Sequence, residues 1–584
     1  MATFFVTNTV DSGLGSLREA VSDANGSGRE STIFLNTTGV ITVLSALPDV
    51  GVNAAFVGPG RDHLTITTSN RFRIFKFLSG ATSILSGLTI ANGYVSNESG
   101  GAIFNAGTLT LKDSVLKNNQ TTQAGGAVYN SGSCFVVGSI LDNNSAFGAN
   151  YYDTNGSGGA IFNAGTLTLK DSVLKNNQTT KVGGAVYNSG TCLVIGSVLD
   201  NNSAYGYKAY GGAIHSASGS VTVSNSTISH NSASGRSGVF SLGIENGWPA
   251  KGGAICVDSG KMEIVASVLF NNSATGGCGS SSYSQGIGGG SGGDAFGGAV
   301  CMNNGFLIVR NTTVSANQAS GGCAGRSINC LHNGGRGVGA GGGFHLGTNV
   351  TAEFESSTIY GNSTRYGVAY DSQCNSVTSL GIGGGIFLDY RVVVSTVFNT
   401  LLASNTADFG RDVYGTLSSH GFNLVTSSNF SSGWIASDLV NTNADVGPLQ
   451  DNGGPTFTHA LLSTSPAIDR GRSGTLTLDQ RGETRPKDAS AIPNADGGDG
   501  SDIGAFELDP VLRLTRITTT DNDIRLSFTT VSDQNYRVEV TDALSGNNWE
   551  LLTNGITGTG GIVTTTNVNG AVFPARFFRV QGQH

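Results

Sequence analysis

Short runs of alternating apolar and polar residues, broken by glycine, asparagine and serine, fill most of the chain. In Thr108-Leu109-Thr110-Leu111 the alternation has a period of two, which predicts a β-strand with one buried face. Helical spacing is rare, but Ser16-Leu17-Arg18-Glu19 has the pattern of a capping box and predicts a short helix. We therefore expect an all-β protein with an N-terminal capping helix.

The strands belong to a repeated unit that starts with a pair of glycines. The segment GGAIFNAGTLTLKDSVLKNNQTT at 100–122 recurs almost unchanged at 158–180, and a weaker copy starts at Gly125. Short strands at a fixed repeat, without helical spacing, predict a right-handed parallel β-helix, a solenoid in which each coil stacks on the previous one.

Like residues fall into columns when the units are aligned on their glycine pairs. The fourth residue of each unit is aliphatic or phenylalanine, as at Ile103 and Val128, and predicts an inward-facing core column. An asparagine that recurs in every unit predicts a ladder of amide hydrogen bonds between coils. This ladder comprises Asn119, Asn144, Asn177, Asn202, Asn231, Asn272, Asn317, Asn362 and Asn405.

The residue after the core column is aromatic in the early units and then reads His215, Cys256, Cys301 and His345. A metal site is one interpretation of such a run. Against it, ligands spaced at the interval of one coil lie along a line and do not converge tetrahedrally on one ion. We therefore interpret the column as a packed or partly exposed aromatic strip.

Composition and charge exclude several classes of protein. The 88 glycines favour an elongated repeat array, and a net charge of −8 without a basic run argues against a nucleic-acid partner. No apolar run is long enough for a transmembrane segment. The chain starts directly with strand-like residues and has no basic, apolar leader, which leaves either a cytosolic protein or an exported one whose export signal is absent from this chain. The family resemblances described below favour the second.

Long insertions separate the ladder asparagine from the next glycine pair in the coils from about 231 onward. Inserted at one point of the repeat, these loops emerge on one face and form a wall. Aromatic rings beside arginines and carboxylates suit a glycan, through stacking and hydrogen bonds, although simple surface decoration is the alternative. The predicted ligand-binding residues are Trp248, Tyr283, Arg326, His332, Arg336, Arg365, Tyr366 and Asp371.

The same loops carry four cysteines, Cys278, Cys323, Cys330 and Cys374, as disulfide candidates, and Cys323 with Cys330 would close the shortest loop. Calcium is the one cofactor that the sequence suggests. GGSGGDAFG at 289–297 fits a calcium-binding nonapeptide and supplies Asp294, while the loop 496–502 supplies three carboxylates. The latter are Asp496, Asp499 and Asp502.

Several segments resemble known families of exported proteins. DSGLGSLREAVSDAN resembles the CSLREA region that starts many exported β-helix proteins, with Gly15 in place of the cysteine. The GGA(I/V) and NN(S/Q) repeats are similar to those of polymorphic outer-membrane proteins. VGPLQDNGGPTFTHALLSTSPAIDRG, DQRGETRP and DIGAFE, within 446–507, closely resemble a choice-of-anchor Q domain. In this domain we interpret His459 and Asp479-Gln480-Arg481 as residues that maintain the fold.

The last residues, which include Phe577-Phe578-Arg579-Val580, resemble the small C-terminal β-sandwich modules of large secreted bacterial proteins. Together the resemblances imply a secreted or surface-displayed bacterial protein, and they name no activity. The predicted organisation is a cap with the first coils at 1–95, a parallel β-helix at 96–445, a choice-of-anchor Q-like part at 446–509 and a β-sandwich at 510–584.

The leading hypothesis for function is a secreted or cell-surface protein that binds an extracellular carbohydrate, in the manner of an adhesin, through its loop wall. A polysaccharide lyase or glycoside hydrolase with its site in the same wall is the first alternative. A structural spacer is the second. The sequence assigns no catalytic residue, and it contains neither an HExxH motif nor a phosphate-binding loop.

Overall fold

The computed structural model describes residues 1–583 apart from 149–155, 240–243, 283–287, 329, 331, 391–393, 490–491, 510–511, 532–533 and 544–548. Its strands pair in parallel from coil to coil, so the predicted parallel β-helix is confirmed. No helix of the described residues is long and apolar enough to cross a membrane.

One coil illustrates how the sequence builds the solenoid. After the glycine pair come four strands, Ile103–Asn105, Thr108–Lys112, Val115–Lys117 and Gln120–Thr121. Leu109 and Leu111 point inward and are fully buried, while the threonines between them face outward. Each change of direction falls on a residue that tolerates positive φ, such as Asn118 at 57°.

Three stacks of strands form the faces of the solenoid. Face A takes the first two strands of each coil, face B the third and face C the fourth. Among the described residues they contain 24, 14 and 9 strands, respectively. The strands of face A are Ala2–Val6, Ser31–Leu35, Ala54–Val57, Phe75–Phe77, Thr82–Ser86, Ile103–Asn105, Thr108–Lys112, Val128–Asn130, Ser133–Val137, Ile161–Asn163, Thr166–Lys170, Val186–Asn188, Thr191–Ile195, Ile214–Ser216, Ser220–Ser224, Ile255–Val257, Lys261–Val265, Val300–Arg310, Phe344–Glu355, Ile386–Leu388, Val394–Phe398, Val413–Thr416, Ser418–Ser419 and Ser431–Ser432.

The strands of face B are Gly39–Val43, Leu64–Thr68, Thr89–Ala91, Val115–Lys117, Ile140–Asp142, Val173–Lys175, Val198–Asp200, Thr227–Ser229, Val268–Phe270, Thr313–Ser315, Thr358–Tyr360, Leu401–Ala403, Leu424–Val425 and Leu439–Val440. Those of face C are Tyr94–Val95, Gln120–Thr121, Ser145–Ala146, Gln178–Thr179, Ser203–Gly206, Ser232–Gly235, Ser273–Thr275, Gln318–Ser320 and Ser363–Arg365. The later coils add a short fourth stack between face C and the next glycine pair. It comprises Ala209–Tyr210, Ala250–Lys251, Ala295–Phe296 and Gly339–Ala340.

The predicted asparagine ladder is present and buried. Each side-chain amide from Asn119 to Asn362 donates to the amide oxygen of the next coil at 2.9–3.0 Å, and Asn405 donates to Asp412 at 2.8 Å. The same oxygens also accept backbone N–H groups, for example that of Asn119. The ladder therefore satisfies polar groups that would otherwise be buried without partners.

A second asparagine ladder runs along face A and was not predicted. Asn105 donates to Asn130 at 2.7 Å, Asn130 to Asn163 at 2.7 Å and Asn163 to Asn188 at 2.8 Å. The chain of amides ends at Ser216, which accepts from Asn188. Both ladders fix the register of successive coils, because a shift by one residue would break these amide hydrogen bonds.

The predicted aromatic strip is also confirmed in the early coils. Phe104, Tyr129, Phe162 and Tyr187 stack face to face, with ring centroids 4.5–5.1 Å apart. In the next coils the residues of this column are buried: His215 is 3% exposed, and both Cys256 and Cys301 are fully buried.

The N-terminal end is covered by the predicted helix, Leu17–Ser27. Ser16 caps this helix by accepting the backbone N–H of Glu19, and Glu19 in turn accepts the backbone N–H of Gly15. Leu17 and Val21 are buried against the first strands. The capping box thus places an apolar helix face over the open edge of the solenoid.

Residues 446–509, here called the strap, pack on the outside of face B. The strap starts with two antiparallel strands, Val446–Gln450 and Thr458–Leu461, and continues as irregular chain in its described part. Thr313 donates to the amide oxygen of Gln480 at 2.6 Å. The strap therefore runs back along coils that precede it by more than a hundred residues.

Charged and polar side chains hold the strap together. His459 contacts Ser315 at 2.9 Å, and burial lowers its pKa to about 4, so the ring is neutral at physiological pH. Arg481 donates to Asp479 at 2.8 Å, and the fully buried Arg485 lies 2.9 Å from Glu507. These contacts agree with a role in maintaining the fold.

The C-terminal residues form the predicted β-sandwich. One sheet contains Leu514–Thr520, Asp523–Thr529 and Ile562–Asn567, and the other contains Asn535–Thr541, Glu550–Thr557 and Phe577–Gln583. A 3-10 turn spans Gly570–Val572. One further antiparallel pair, Ala369–Tyr370 with Ser376–Val377, lies in the last long loop.

Candidate functional site

The long loops pack as a lattice of glycine backbones. The described parts of segments 235–249, 276–294 and 321–338 lie side by side and exchange backbone hydrogen bonds, among them Gly238 to Cys278 at 2.7 Å and Gly322 to Gly293 at 2.8 Å. A Cβ atom placed on Gly277 would lie 2.0 Å from the carbonyl oxygen of Arg236. Glycine is needed here for close approach of neighbouring chains.

Two disulfides join successive loops of this wall. Cys278 pairs with Cys323, and Cys330 pairs with Cys374. The four predicted cysteines are therefore the ones that pair, but the suggested closure of the shortest loop, Cys323 with Cys330, is wrong. The stacking of coils explains the difference, because it places equivalent loop positions next to each other and separates residues along one loop.

A cleft of about 440 Å³ lies where the wall meets the end of the aromatic strip. Four aromatic side chains line it, Tyr187, Tyr207, Tyr210 and Trp248. The polar part of the lining consists of Ser157, Lys181, Lys208, His215 and Asp258. Wide apolar surfaces with a few polar groups are typical of small-molecule and saccharide sites.

The first wall segment fixes the position of Trp248. Its backbone N–H donates to the carbonyl of Arg236 at 2.9 Å, and its own carbonyl accepts the N–H of Gly277 at 2.9 Å. The indole packs edge-on against Tyr207 with centroids 4.6 Å apart, yet stays 38% exposed. An indole held in this way offers a surface for stacking without a large loss of side-chain entropy on binding.

A positive and a negative side chain lie next to Tyr207, one of the four rings of the cleft. The guanidinium of Arg236 lies 4.8 Å above the ring of Tyr207, hydrogen-bonds its hydroxyl and lies 4.0 Å from Glu245.

Burial raises the pKa of Tyr210 to about 12, and it also raises the pKa of Tyr187, so both phenols remain protonated donors.

The other predicted ligand residues lie elsewhere on the wall. Arg326 stacks over Tyr370 at 5.2 Å, and Arg336 stacks over Tyr366 at 4.3 Å. Such pairs make the outer surface of the wall rigid and cationic.

The remaining four predicted ligand residues lie outside the cleft or outside the described residues. Asp371 accepts the backbone N–H groups of Gln373 and Asn375, each at 2.9 Å, and thereby closes its own turn. His332 and Arg365 are exposed, and Tyr283 lies outside the described residues. Of the predicted set, Trp248 is the residue that the structure places in the cleft.

The sequence analysis missed the tyrosines of the cleft. Tyr207 and Tyr210 belong to Tyr-Gly-Tyr-Lys-Ala-Tyr at 205–210, in the short insertion that precedes the long loops. The dense spacing of tyrosines was the available signal, although this insertion is shorter than those that follow it. Tyr187 was assigned only to the aromatic strip.

The predicted calcium ligands do not come together in the described structure. Asp294 accepts the backbone N–H of Val338 at 2.8 Å. Asp499 accepts the N–H groups of Ser473 and Ser501, each at 3.2 Å. Asp502 is buried and accepts the N–H groups of Asp469 and Leu508, whereas Asp496 is exposed.

A second groove, of about 650 Å³, lies on the outer surface of face A beside the strap. Arg310 bridges two carboxylates there, Glu353 at 2.7 Å and Glu355 at 2.9 Å. Burial raises the pKa of Glu355 despite the attraction of Arg310, while the side chain of Glu353 is 43% exposed. His420 and Thr475 line the remainder of this groove.

No protein-family model matches the chain, and no curated protein matches it significantly. Among solved structures, the chain is similar to the catalytic unit of a thermostable GH87 α-1,3-glucanase from Streptomyces thermodiastaticus, with 14% identity, 60% of this chain and 68% of that chain covered, and a TM-score of 0.28.

The chain is also similar to the A-module of the mannuronan C-5 epimerase AlgE4 from Azotobacter vinelandii. The identity is 12%, the coverage is 72% of this chain and 94% of that chain, and the TM-score is 0.21. At such TM-scores neither likeness carries an argument about activity.

Proposed function

We propose that the protein binds an extracellular polysaccharide through the cleft lined by Tyr187, Tyr207, Tyr210 and Trp248. The observation that carries this proposal is the convergence of four aromatic rings on one cleft of about 440 Å³. Sugar rings present flat C–H surfaces that pack on aromatic faces, and their hydroxyls need hydrogen-bond partners at the edge of the site. Lys181, Lys208 and Asp258 supply such partners.

The aromatic strip extends the cleft along the solenoid axis. Tyr187 belongs both to the cleft and to the stack that runs back through Phe162 and Tyr129 to Phe104. A long glycan chain lying along face A would meet a half-buried ring at every coil. This geometry supports binding of a polymer over binding of a single sugar.

The two lysines favour a glycan that carries negative charge. Lys181 and Lys208 lie on the lining, and Asp258 is the acidic residue of the same lining. An ammonium group close to a carboxylate or sulfate of the ligand forms a charge-assisted hydrogen bond. Acidic glycans are therefore the preferred class of ligand for a binding screen.

An extracellular, adhesin-like role is part of the proposal. Two disulfides are of the kind that forms in oxidising compartments. The resemblance of residues 11–25 to the CSLREA region and of the strap to a choice-of-anchor Q domain supports surface display. We accordingly propose the four-part organisation with boundaries at 95, 445 and 509.

Retention on immobilised acidic and neutral polysaccharides tests the proposal. Trp248→Ala and Tyr207→Ala should each weaken binding about 10-fold or more, since loss of a stacking ring costs about 1–3 kcal/mol, as it does for base stacking on aromatic side chains. Phe306→Ala is the matched control, because this ring is 61% exposed on face A and lies outside the cleft. Equal retention of all three variants and the parent protein would refute the cleft as the binding site.

Hydrolysis or lytic cleavage of a polysaccharide is the second candidate function, and the groove with Glu353 and Glu355 favours it. A pair of carboxyl groups, one of them with a raised pKa, is the arrangement required for general acid–base catalysis on glycosides. The test is the release of reducing or unsaturated ends from the polysaccharides retained above. Turnover that is lost in Glu355→Gln would establish the enzyme, and retention without turnover would leave the binding function.

A further inference from the structure

We propose that the floor of the cleft binds one borderline-soft divalent transition-metal ion, of the class of Zn²⁺, through His215, Cys256 and Asp258. One nitrogen, one sulfur and one carboxylate oxygen of these residues all lie within 4.8 Å of one another. This site goes beyond glycan binding and does not rest on it.

The coil geometry explains why these three side chains converge. His215 on Ile214–Ser216 pairs in register with Cys256 on Ile255–Val257, so the imidazole and the thiol stack from one coil to the next. Asp258 follows Cys256 by two residues and therefore projects on the same side of the chain. The objection to a linear column of ligands does not apply, because Asp258 lies outside the column.

The imidazole has unused hydrogen-bonding capacity. His215 is 3% exposed, and its Nδ1 atom has no hydrogen-bond partner among the described residues. Its Nε2 atom lies 3.4 Å from the Oδ2 atom of Asp258. Buried polar atoms are normally satisfied, so a buried imidazole that keeps one nitrogen unpartnered and holds the other near a carboxylate is a candidate metal ligand.

Hydrogen bonds from neighbouring side chains orient the carboxylate of Asp258. Asn303 donates its side-chain amide to the Oδ1 atom of Asp258 at 2.9 Å, and Lys251 donates to the amide oxygen of Asn303 at 3.3 Å. Oδ2 is thereby turned toward His215. Metal-binding carboxylates are commonly held by this kind of outer hydrogen bond, which fixes the direction of the free lone pairs.

The donor set selects the class of metal. Imidazole, thiolate and carboxylate together suit Zn²⁺ and its neighbours, whereas Ca²⁺ and Mg²⁺ prefer oxygen donors alone. His215 and Asp258 also line the open cleft, which gives the ion an entry path. Three protein ligands with one position facing the cleft correspond to an open site, in which water or a ligand group completes the coordination.

Titration with Co²⁺ tests the proposal on the full chain. The chelator-treated protein, kept anaerobic so that free thiols stay reduced, should bind one Co²⁺ and show a thiolate-to-metal charge-transfer band that Zn²⁺ abolishes. Cys256→Ser and Asp258→Asn should each lose the band. Cys192→Ser is the control, because Cys192 is a free, buried thiol in the core whose loss should leave the band unchanged.

The side chain of Asn303, which orients Asp258, gives an independent readout. Asn303→Ala keeps all three ligands but releases Asp258, and should weaken Co²⁺ binding about 10- to 100-fold. Absence of the band in the parent protein, or an unchanged band in both ligand variants, would overturn the proposal. If Cys256→Ser does not fold, Asp258→Asn decides, since Zn²⁺ should raise the Tm of the parent protein and not that of this variant.

Discussion

Replacing Gly277 with alanine tests whether close backbone contact holds the loop wall together. The new Cβ atom would lie 2.0 Å from the carbonyl oxygen and 2.4 Å from the carbonyl carbon of Arg236. Both are backbone atoms, so no side chain can turn aside, and the two chains must separate by roughly 1 Å to reach ordinary contact.

That separation would break hydrogen bonds on both sides of the segment. Gly277 donates to Trp248 at 2.9 Å, and Gly293 donates to Gly277 at 2.8 Å. Lengthening either bond by about 1 Å takes it beyond hydrogen-bonding distance. Two lost bonds, each leaving partly buried groups unpaired, amount to about 2–4 kcal/mol of local stability.

Hydrogen–deuterium exchange followed by mass spectrometry measures this loss directly. Peptides covering 235–249 and 276–294 should exchange about 10²-fold faster in Gly277→Ala, since every 1.4 kcal/mol changes the opening equilibrium tenfold. Gly335→Ala is the matched control in the same wall, because its Cβ would first meet the Ser291 hydroxyl at 3.4 Å. Unchanged exchange in Gly277→Ala, or equal acceleration in the two variants, would refute close backbone contact as the reason for glycine.

Three further predictions concern the stability of the fold. Asn202→Ala should cost about 3 kcal/mol of unfolding free energy in urea, since it leaves buried groups of two neighbouring coils unpaired, and a loss below about 1 kcal/mol would contradict this role of the ladder. Burial raises the pKa of Asp412 to about 6, so its contribution to stability is fully present below pH 3.8 and is lost as the pH rises through 6. The loss amounts to about 3 kcal/mol, and Asp412→Asn should flatten this part of the stability–pH curve. Cys278→Ser should lower the stability of the wall by up to about 4 kcal/mol through the loss of the bond to Cys323, and equal resistance of parent and variant to proteolysis would argue against it.

The repetitive features of the fold could be predicted because a β-helix stacks equivalent positions. The core column, the asparagine ladder and the aromatic strip each need only one alignment of the units, and each is confirmed. The second ladder carried the same signal, since Asn105, Asn130, Asn163 and Asn188 recur two residues after the core column. The aromatic residue that directly precedes each of these asparagines is the more conspicuous feature of the alignment and hides the second ladder.

The site depends on contacts that do not repeat. The disulfide partners follow from which loops lie side by side, which the spacing of cysteines along one loop does not reveal. The cluster of His215, Cys256 and Asp258 combines a column position with one residue outside the column, so alignment of the units hides it. The sequence predicts that the long loops form a wall, but it does not reveal that their glycines permit dense packing between neighbouring chains.

The strap changes how the solenoid should come apart. In a simple repeat array each coil contacts only its neighbours, and the ends can fray one coil at a time. Here Thr456 donates to the carbonyl of Ala266, and the N–H of Ala505 donates to Thr358, so one segment ties together coils far apart in sequence. Opening the last coils therefore requires removal of the whole strap. The C-terminal half is accordingly expected to resist pulling or stepwise proteolysis as a single cooperative block.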